Sequence, residues 1–147
     1  MNLAVLSDTH GLLRPEVLPH LEGVDAILHA GDVGDAAILE ALAAFAPVYA
    51  IRGNVDTTPE LLSLPETRLV KLGGVFIYML HDLKTLGDLP HGARIVVSGH
   101  SHQPRITDEG GVLYLNPGSC GRRRFSLPVS LARLELGAKV TASLISL

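Results

Sequence analysis

Short apolar runs, each closed by Gly, Asp, Asn or His, recur along the whole chain. In the first half they alternate with segments of helical character. Leu3–Ser7 reads as a continuous buried strand, followed by a loop and a short helix at Pro15–Leu21, where Pro15 suits a first turn and Pro19 limits the helix. Ala26–Ala30 reads as the second strand. Asp35 then reads as the N-cap of an Ala/Leu-rich helix over 36–46, and Val48–Ile51 as the third strand. Strand, helix, strand, helix, strand predicts parallel pairing through right-handed crossovers.

The second half is strand-rich. Arg68–Leu72 and Val75–Leu80 flank Gly73-Gly74, the signature of a tight hairpin. Ile95–Ser98, Val112–Leu115, Val129–Leu136 and Lys139–Leu147 are further strands, the last two joined at Gly137-Ala138. The expected fold class is α/β, with two mixed β-sheets packed face to face and flanking helices, a four-layer sandwich.

The length of 147 residues suits a single domain spanning 1–147. A composition 47% hydrophobic and 18% charged is too apolar for a disordered chain. The net charge of −3 gives no reason to expect nucleic-acid or acidic-membrane binding, the run Arg122-Arg123-Arg124 being the local exception. Cys120 is the single cysteine, which excludes an intrachain disulfide and a CxxC metal site. The opening MNLAVLSD reads as a strand rather than a signal peptide, and no apolar stretch reaches membrane-spanning length. A cytoplasmic protein is the expectation; the oligomeric state stays open, a homo-oligomer included.

Composition changes the picture less than the residues at the strand ends. The first strand ends in Asp8, with His10 two positions on; the second in Gly31-Asp32; the third in Arg52-Gly53-Asn54. Val75–Leu80 ends in His81, and Ile95–Ser98 in Gly99-His100 with His102 beyond. Singly, each is explained by turn chemistry or a hydrogen-bonded polar side chain. Jointly, five strands deliver metal-competent groups to the edge where α/β folds bind ligands. Asp8, His10, Asp32, Asn54, His81, His100 and His102 are too many donors for one tetrahedral ion but suit two. Two carboxylates against two divalent ions leave about two positive charges, which a hydroxide and a phosphoester neutralise.

The ordered blocks SDTHG (7–11), GD (31–32), GN (53–54), His81 and GHSH (99–102) resemble the calcineurin-like metallophosphoesterases. The length and NPGS (116–119) are similar to the small bacterial and archaeal phosphodiesterase branch, whose fold the retromer subunit Vps29 shares. The resemblance implies Asp8, His10 and His102 on one ion, Asn54, His81 and His100 on the other, and Asp32 bridging. It further implies a hydroxide between the metals attacking phosphorus in line, with Asp32, Asn54 and His81 acting through it. The cofactors implied are two divalent ions, Mn²⁺ foremost, with Zn²⁺, Fe²⁺, Co²⁺ or Ni²⁺ fitting the same donors. The substrate implied is a small phosphoester, a diester before a monoester. The alternative is a catalytically silent Vps29-like scaffold that keeps the pocket.

Two departures from the family bear on chemistry. Larger members carry histidine after the GN asparagine, where this chain has Val55, so no general acid is evident. Asp82 follows His81 where glycine is usual; it is either a helix N-cap or a carboxylate orienting a ligand imidazole. Asn116 is expected to support the histidine loop. Arg122, Arg123 and Arg124 are read as a solvated run with phosphate contact as the alternative. His29, before AGD, is either near the site or in a strand-end hydrogen bond.

Overall fold

The computed structural model describes residues Met1–Leu147. Its elements are β1 (Asn2–Leu6), a 3-10 segment (Pro15–Leu21), β2 (Ala26–His29), α1 (Ala36–Ala43), β3 (Val48–Ala50) and α2 (Pro59–Leu62). They continue as β4 (Thr67–Leu72), β5 (Val75–Leu80), a second 3-10 segment (Leu83–Thr85), β6 (Ala93–Val97), β7 (Arg105–Glu109), β8 (Val112–Asn116), β9 (Ser130–Leu136) and β10 (Val140–Ser146).

Two five-stranded mixed sheets form, ordered β10-β9-β1-β2-β3 and β4-β5-β6-β8-β7. The β1–β2–β3 and β5–β6–β8 pairings are parallel, and antiparallel strands flank both trios. Between the sheets lies a core that includes Leu3, Val5, Leu28, Ile77, Met79, Ile95, Val97 and Leu134. A second core, with Leu6, Val17, Leu21, Ile27, Ile38, Leu42 and Leu61, packs the Pro15–Leu21 segment and both α-helices against the other face of the first sheet. The sandwich is therefore the α/β architecture expected, with its helical cover concentrated on one side. The outer face of the second sheet is bordered instead by the Leu83–Thr85 segment and by Arg124, Phe125 and Leu127, which line a cavity over Tyr114 and Thr107.

Local signals account for the elements. Asp35 caps α1 by accepting a hydrogen bond from the Ala37 N–H at 2.9 Å. The helix stops at Ala43, short of the expected 46, because the Phe45 N–H turns back to Leu42 (2.9 Å) and Pro47 disfavours helical backbone before it. Gly73 and Gly74 take φ 56° and 77°, which the tight β4–β5 hairpin requires. Two elements have no counterpart in the sequence reading. β7 (RITDE) is a largely exposed edge strand without apolar alternation, and α2 is a single turn. No helix is long and apolar enough to cross a membrane.

Candidate metal centre

Asp8 follows β1, Asp32 follows β2, His81 follows β5, and the 99–102 loop follows β6. The two sheets meet at this edge: the His100 N–H, after β6, donates to Asp8 Oδ2 at 3.1 Å, and His81 Nδ1, after β5, bonds the Ala30 carbonyl at 2.7 Å. Close approach makes Gly99 obligatory, since a Cβ there would clash with Ser7 Oγ and stand 2.7 Å from Asp8 Oδ2.

Both carboxylates divide their oxygens in the same way. Asp8 Oδ2 accepts hydrogen bonds from Ser7 Oγ (2.6 Å) and the His100 N–H (3.1 Å). Asp8 Oδ1 is buried with no hydrogen-bond donor, 3.4 Å from His102 Nε2, 3.6 Å from His10 Nε2 and 3.9 Å from His81 Nε2. Asp32 Oδ1 accepts from the Val55 N–H at 3.0 Å, while Oδ2 lies 3.0 Å from His81 Nε2 and 3.5 Å from His10 Nε2.

The imidazoles complete a convergent set. His81 Nδ1–H donates to the Ala30 carbonyl at 2.7 Å, which leaves the buried Nε2 facing Asp32. A backbone carbonyl accepting from the far ring nitrogen is the usual orienting partner of a metal-ligating histidine. His10 Nε2 and His102 Nε2 are 3.3 Å apart. The donor triangle of Asp8, His10 and His102 thus has edges of 3.3, 3.4 and 3.6 Å. An ion with bonds of about 2.1 Å sets tetrahedral donors about 3.4 Å apart. Asp32, His81 and His100 form a second cluster, with ligand atoms within 4.8 Å of one another. The residues present fit divalent cations by spacing, by donor chemistry and by the orphaned Asp8 and His81 atoms.

In the metal-free protein these groups bias one another's titration. Burial raises the Asp8 carboxyl, but His10, His102 and Ser7 outweigh it and hold the group well below the usual carboxylate range. Burial also opposes ionisation of Asp32, and His81 with the Val55 N–H lowers it regardless. Contact with Asp8 raises His10; His81 is raised by Asp32 and the Ala30 carbonyl against the effect of burial.

Backbone strain concentrates here. Six non-glycine residues have positive φ, and five are Asp8 (57°), His10 (47°), Asp32 (56°), His100 (70°) and His102 (61°). Such conformations persist where the surroundings over-determine them, as at functional sites.

The remaining candidates separate clearly. His100 sits half-exposed at the rim, its ring edge-on to His81 at 5.2 Å between centroids. Asp82 caps the Leu83–Thr85 segment, accepting from the Lys84 N–H at 3.1 Å, and its Oδ2 lies 3.9 Å from His100 Nε2. Asn54 is exposed on the turn between Gly53 and Val55 and its side chain makes no hydrogen bond to the cluster; the Val55 N–H beside it is the group that reaches Asp32. Asn116 Nδ2 donates to Gly99 O (3.0 Å) and Ser101 Oγ (3.1 Å), so it braces the histidine loop. Arg122 and Arg123 are exposed and touch none of the cluster; Arg123 borders a separate depression with Arg14 and Glu16. Cys120 is fully buried, its thiol pushed up to about 12 by burial, which leaves it inert.

Two supports escaped the sequence reading. Asp56 is buried and accepts from the N–H groups of Gly53 (2.8 Å), Gly34 (2.9 Å) and Val33 (3.2 Å), clamping two site loops together. Val55 contributes through its backbone rather than its exposed side chain. His29 makes the strand-end alternative: Nδ1 accepts from the Gly31 N–H (3.2 Å), and Nε2 lies 3.0 Å from Thr9 Oγ1. Because the Thr9 hydroxyl donates to Val33 O (2.8 Å), the ring is neutral and protonated at Nε2.

Comparison with known proteins agrees with this geometry. Residues 1–139 match the calcineurin-like phosphoesterase superfamily domain. A probable metallophosphoesterase of Methanocaldococcus jannaschii is 35% identical, the alignment covering 99% of this chain and 81% of that one. A second, of Methanothermobacter thermautotrophicus, is 34% identical over 99% of this chain and 92% of its own. Among solved structures, Vps29 of Entamoeba histolytica complexed with Zn²⁺ superposes with a TM-score of 0.75 at 22% identity, covering 99% of each chain. Its likeness is one of fold. By sequence and by fold, the chain belongs to the calcineurin-like phosphoesterase superfamily.

Proposed function

We propose that this phosphoesterase is a phosphodiesterase working at a dinuclear centre. Asp8, His10 and His102 would hold one ion and Asn54, His81 and His100 the other, with Asp32 shared between them; Mn²⁺ would be the first choice of metal. The observation that carries this reading is the shared division of the two carboxylates. Each spends one oxygen on protein donors and turns the other toward imidazole nitrogens. When bound, divalent ions supply Lewis-acid polarisation of the phosphoryl group and a nucleophile from water at neutral pH.

The chain's own residues account for orientation and charge. Ser7, the His100 N–H and the Val55 N–H fix the carboxylates, and Ala30 fixes the His81 ring. Two carboxylates leave an excess of positive charge for an anionic ester to offset. Val55 offers no proton to a departing oxygen and no further donor to a dianionic monoester. Diesters with good leaving groups are therefore the favoured substrates, with modest turnover.

A second reading, a scaffold retaining the metal pocket, draws on the Vps29 likeness together with Val55. One experiment separates them. Mn²⁺-loaded protein is expected to hydrolyse bis(p-nitrophenyl) phosphate, with activity lost in Asp32→Ala and His81→Ala. Metal-replete protein that turns over no phosphoester, mono or di, refutes the enzyme reading and leaves the scaffold.

A further inference from the structure

A cavity of about 880 Å³ opens beside the metal centre on the outer face of the second sheet. Its inner end is shared with the centre through His100, Asp82 and Asn116. From there it extends over Tyr114 of β8 to the outward-facing residues of β7. The volume lies within the range of about 300–1,000 Å³ usual for small-molecule sites.

Phe125 stands at this cavity 85% exposed, the most exposed large apolar side chain of the protein. It is also the sixth non-glycine residue with positive φ (52°), and the only one outside the proposed ligand set. A bulky residue in that conformation is an outlier, and here it presents an aromatic ring to solvent rather than to the core. The Arg124 guanidinium lies 5.7 Å from the ring centroid. Leu83, 41% exposed, adds a second apolar surface. Lys84, Arg105 and Arg124 against Asp82 and Glu109 give the lining one excess positive charge, which suits a ligand joined to a phosphate.

We infer that this cavity binds a flat aromatic substituent of the phosphoester, of nucleoside size, stacked on Phe125. The inference rests on the phosphodiesterase reading for the position of the phosphate, and it names the substrate class that reading leaves open. An aromatic platform next to a guanidinium accepts any planar ring. Stacking of this kind contributes on the order of tenfold in affinity for each ring. A methyl ester carries no ring to stack on Phe125.

The test compares two ligands with the same phosphate, adenosine 5′-phosphate and methyl phosphate, titrated by calorimetry into the Zn²⁺-loaded protein. Wild type is expected to bind the adenosine compound at least tenfold more tightly, and Phe125→Ala to reduce that ratio by about tenfold. A ratio near one, or one unchanged in Phe125→Ala, overturns the inference. NMR titration of metal-free protein with adenosine 5′-phosphate supplies a second readout: the Phe125 and Tyr114 ring signals shift if the inference holds and stay fixed if it fails. Hydrolysis of bis(p-nitrophenyl) phosphate is scored separately. Ring shifts without turnover uphold the cavity and sink the diesterase; turnover without a Phe125-dependent ratio does the reverse.

Discussion

Protonation of His29 is expected to unfasten the metal loops in mild acid. The imidazole is fully buried, and burial pushes its pKa down to about 4 from 6.5. The Gly31 N–H points at Nδ1, so a proton there sets donor against donor at 3.2 Å. In the unfolded chain the same group titrates near 6.5, and the unfolded state therefore takes up its proton first as pH falls. The stability due to neutral His29 is fully present above pH 6.5 and is lost as pH drops through about 4. Across that interval, at about 1.36 kcal/mol per pH unit, the loss amounts to roughly 3 kcal/mol. The assay is urea unfolding of EDTA-treated protein between pH 7.5 and 4, for wild type and His29→Gln. Glutamine keeps a donor toward Thr9 and does not titrate, so the difference between the two proteins isolates this group. The stability advantage of wild type should shrink by roughly 3 kcal/mol toward pH 4. A difference that stays constant with pH refutes the reasoning.

Gly53→Ala places a Cβ against Asp32, 2.8 Å from its Cγ, and should weaken metal binding about 10- to 100-fold, read by competition with a fluorescent chelator. Asp56→Ala strips three backbone N–H groups of their acceptor and should cost about 3 kcal/mol in urea unfolding, with divalent metal bound less tightly. Val55→His supplies a proton donor beside the Asp32 turn. It should raise kcat at least about tenfold for alkyl leaving groups, with less effect on p-nitrophenyl esters, in a leaving-group series.

The sandwich and the clustering were legible because each strand announces its own end. Asp8, Asp32, His81 and the GHSH loop all follow apolar runs, and parallel pairing carries strand ends to one edge. The supports were not legible, because their signals coincide with ordinary turn residues. Asp56 looks like loop polarity, and its three N–H partners come from two separate loops. The Val55 contribution is a backbone group, to which side-chain identity is blind. The edge strand β7 has polar residues on both faces, so alternation could not reveal it. Asp82 takes the capping role, one oxygen accepting from the Lys84 N–H, while the other stands 3.9 Å from His100 Nε2, beyond hydrogen-bond reach.

A pair of ions at this edge would show in anomalous scattering from crystals grown with Mn²⁺. Two peaks about 3.5–4 Å apart are expected, one among Asp8, His10 and His102 and one among Asp32, His81 and His100. A single peak, or none with Mn²⁺ in excess, contradicts the dinuclear reading.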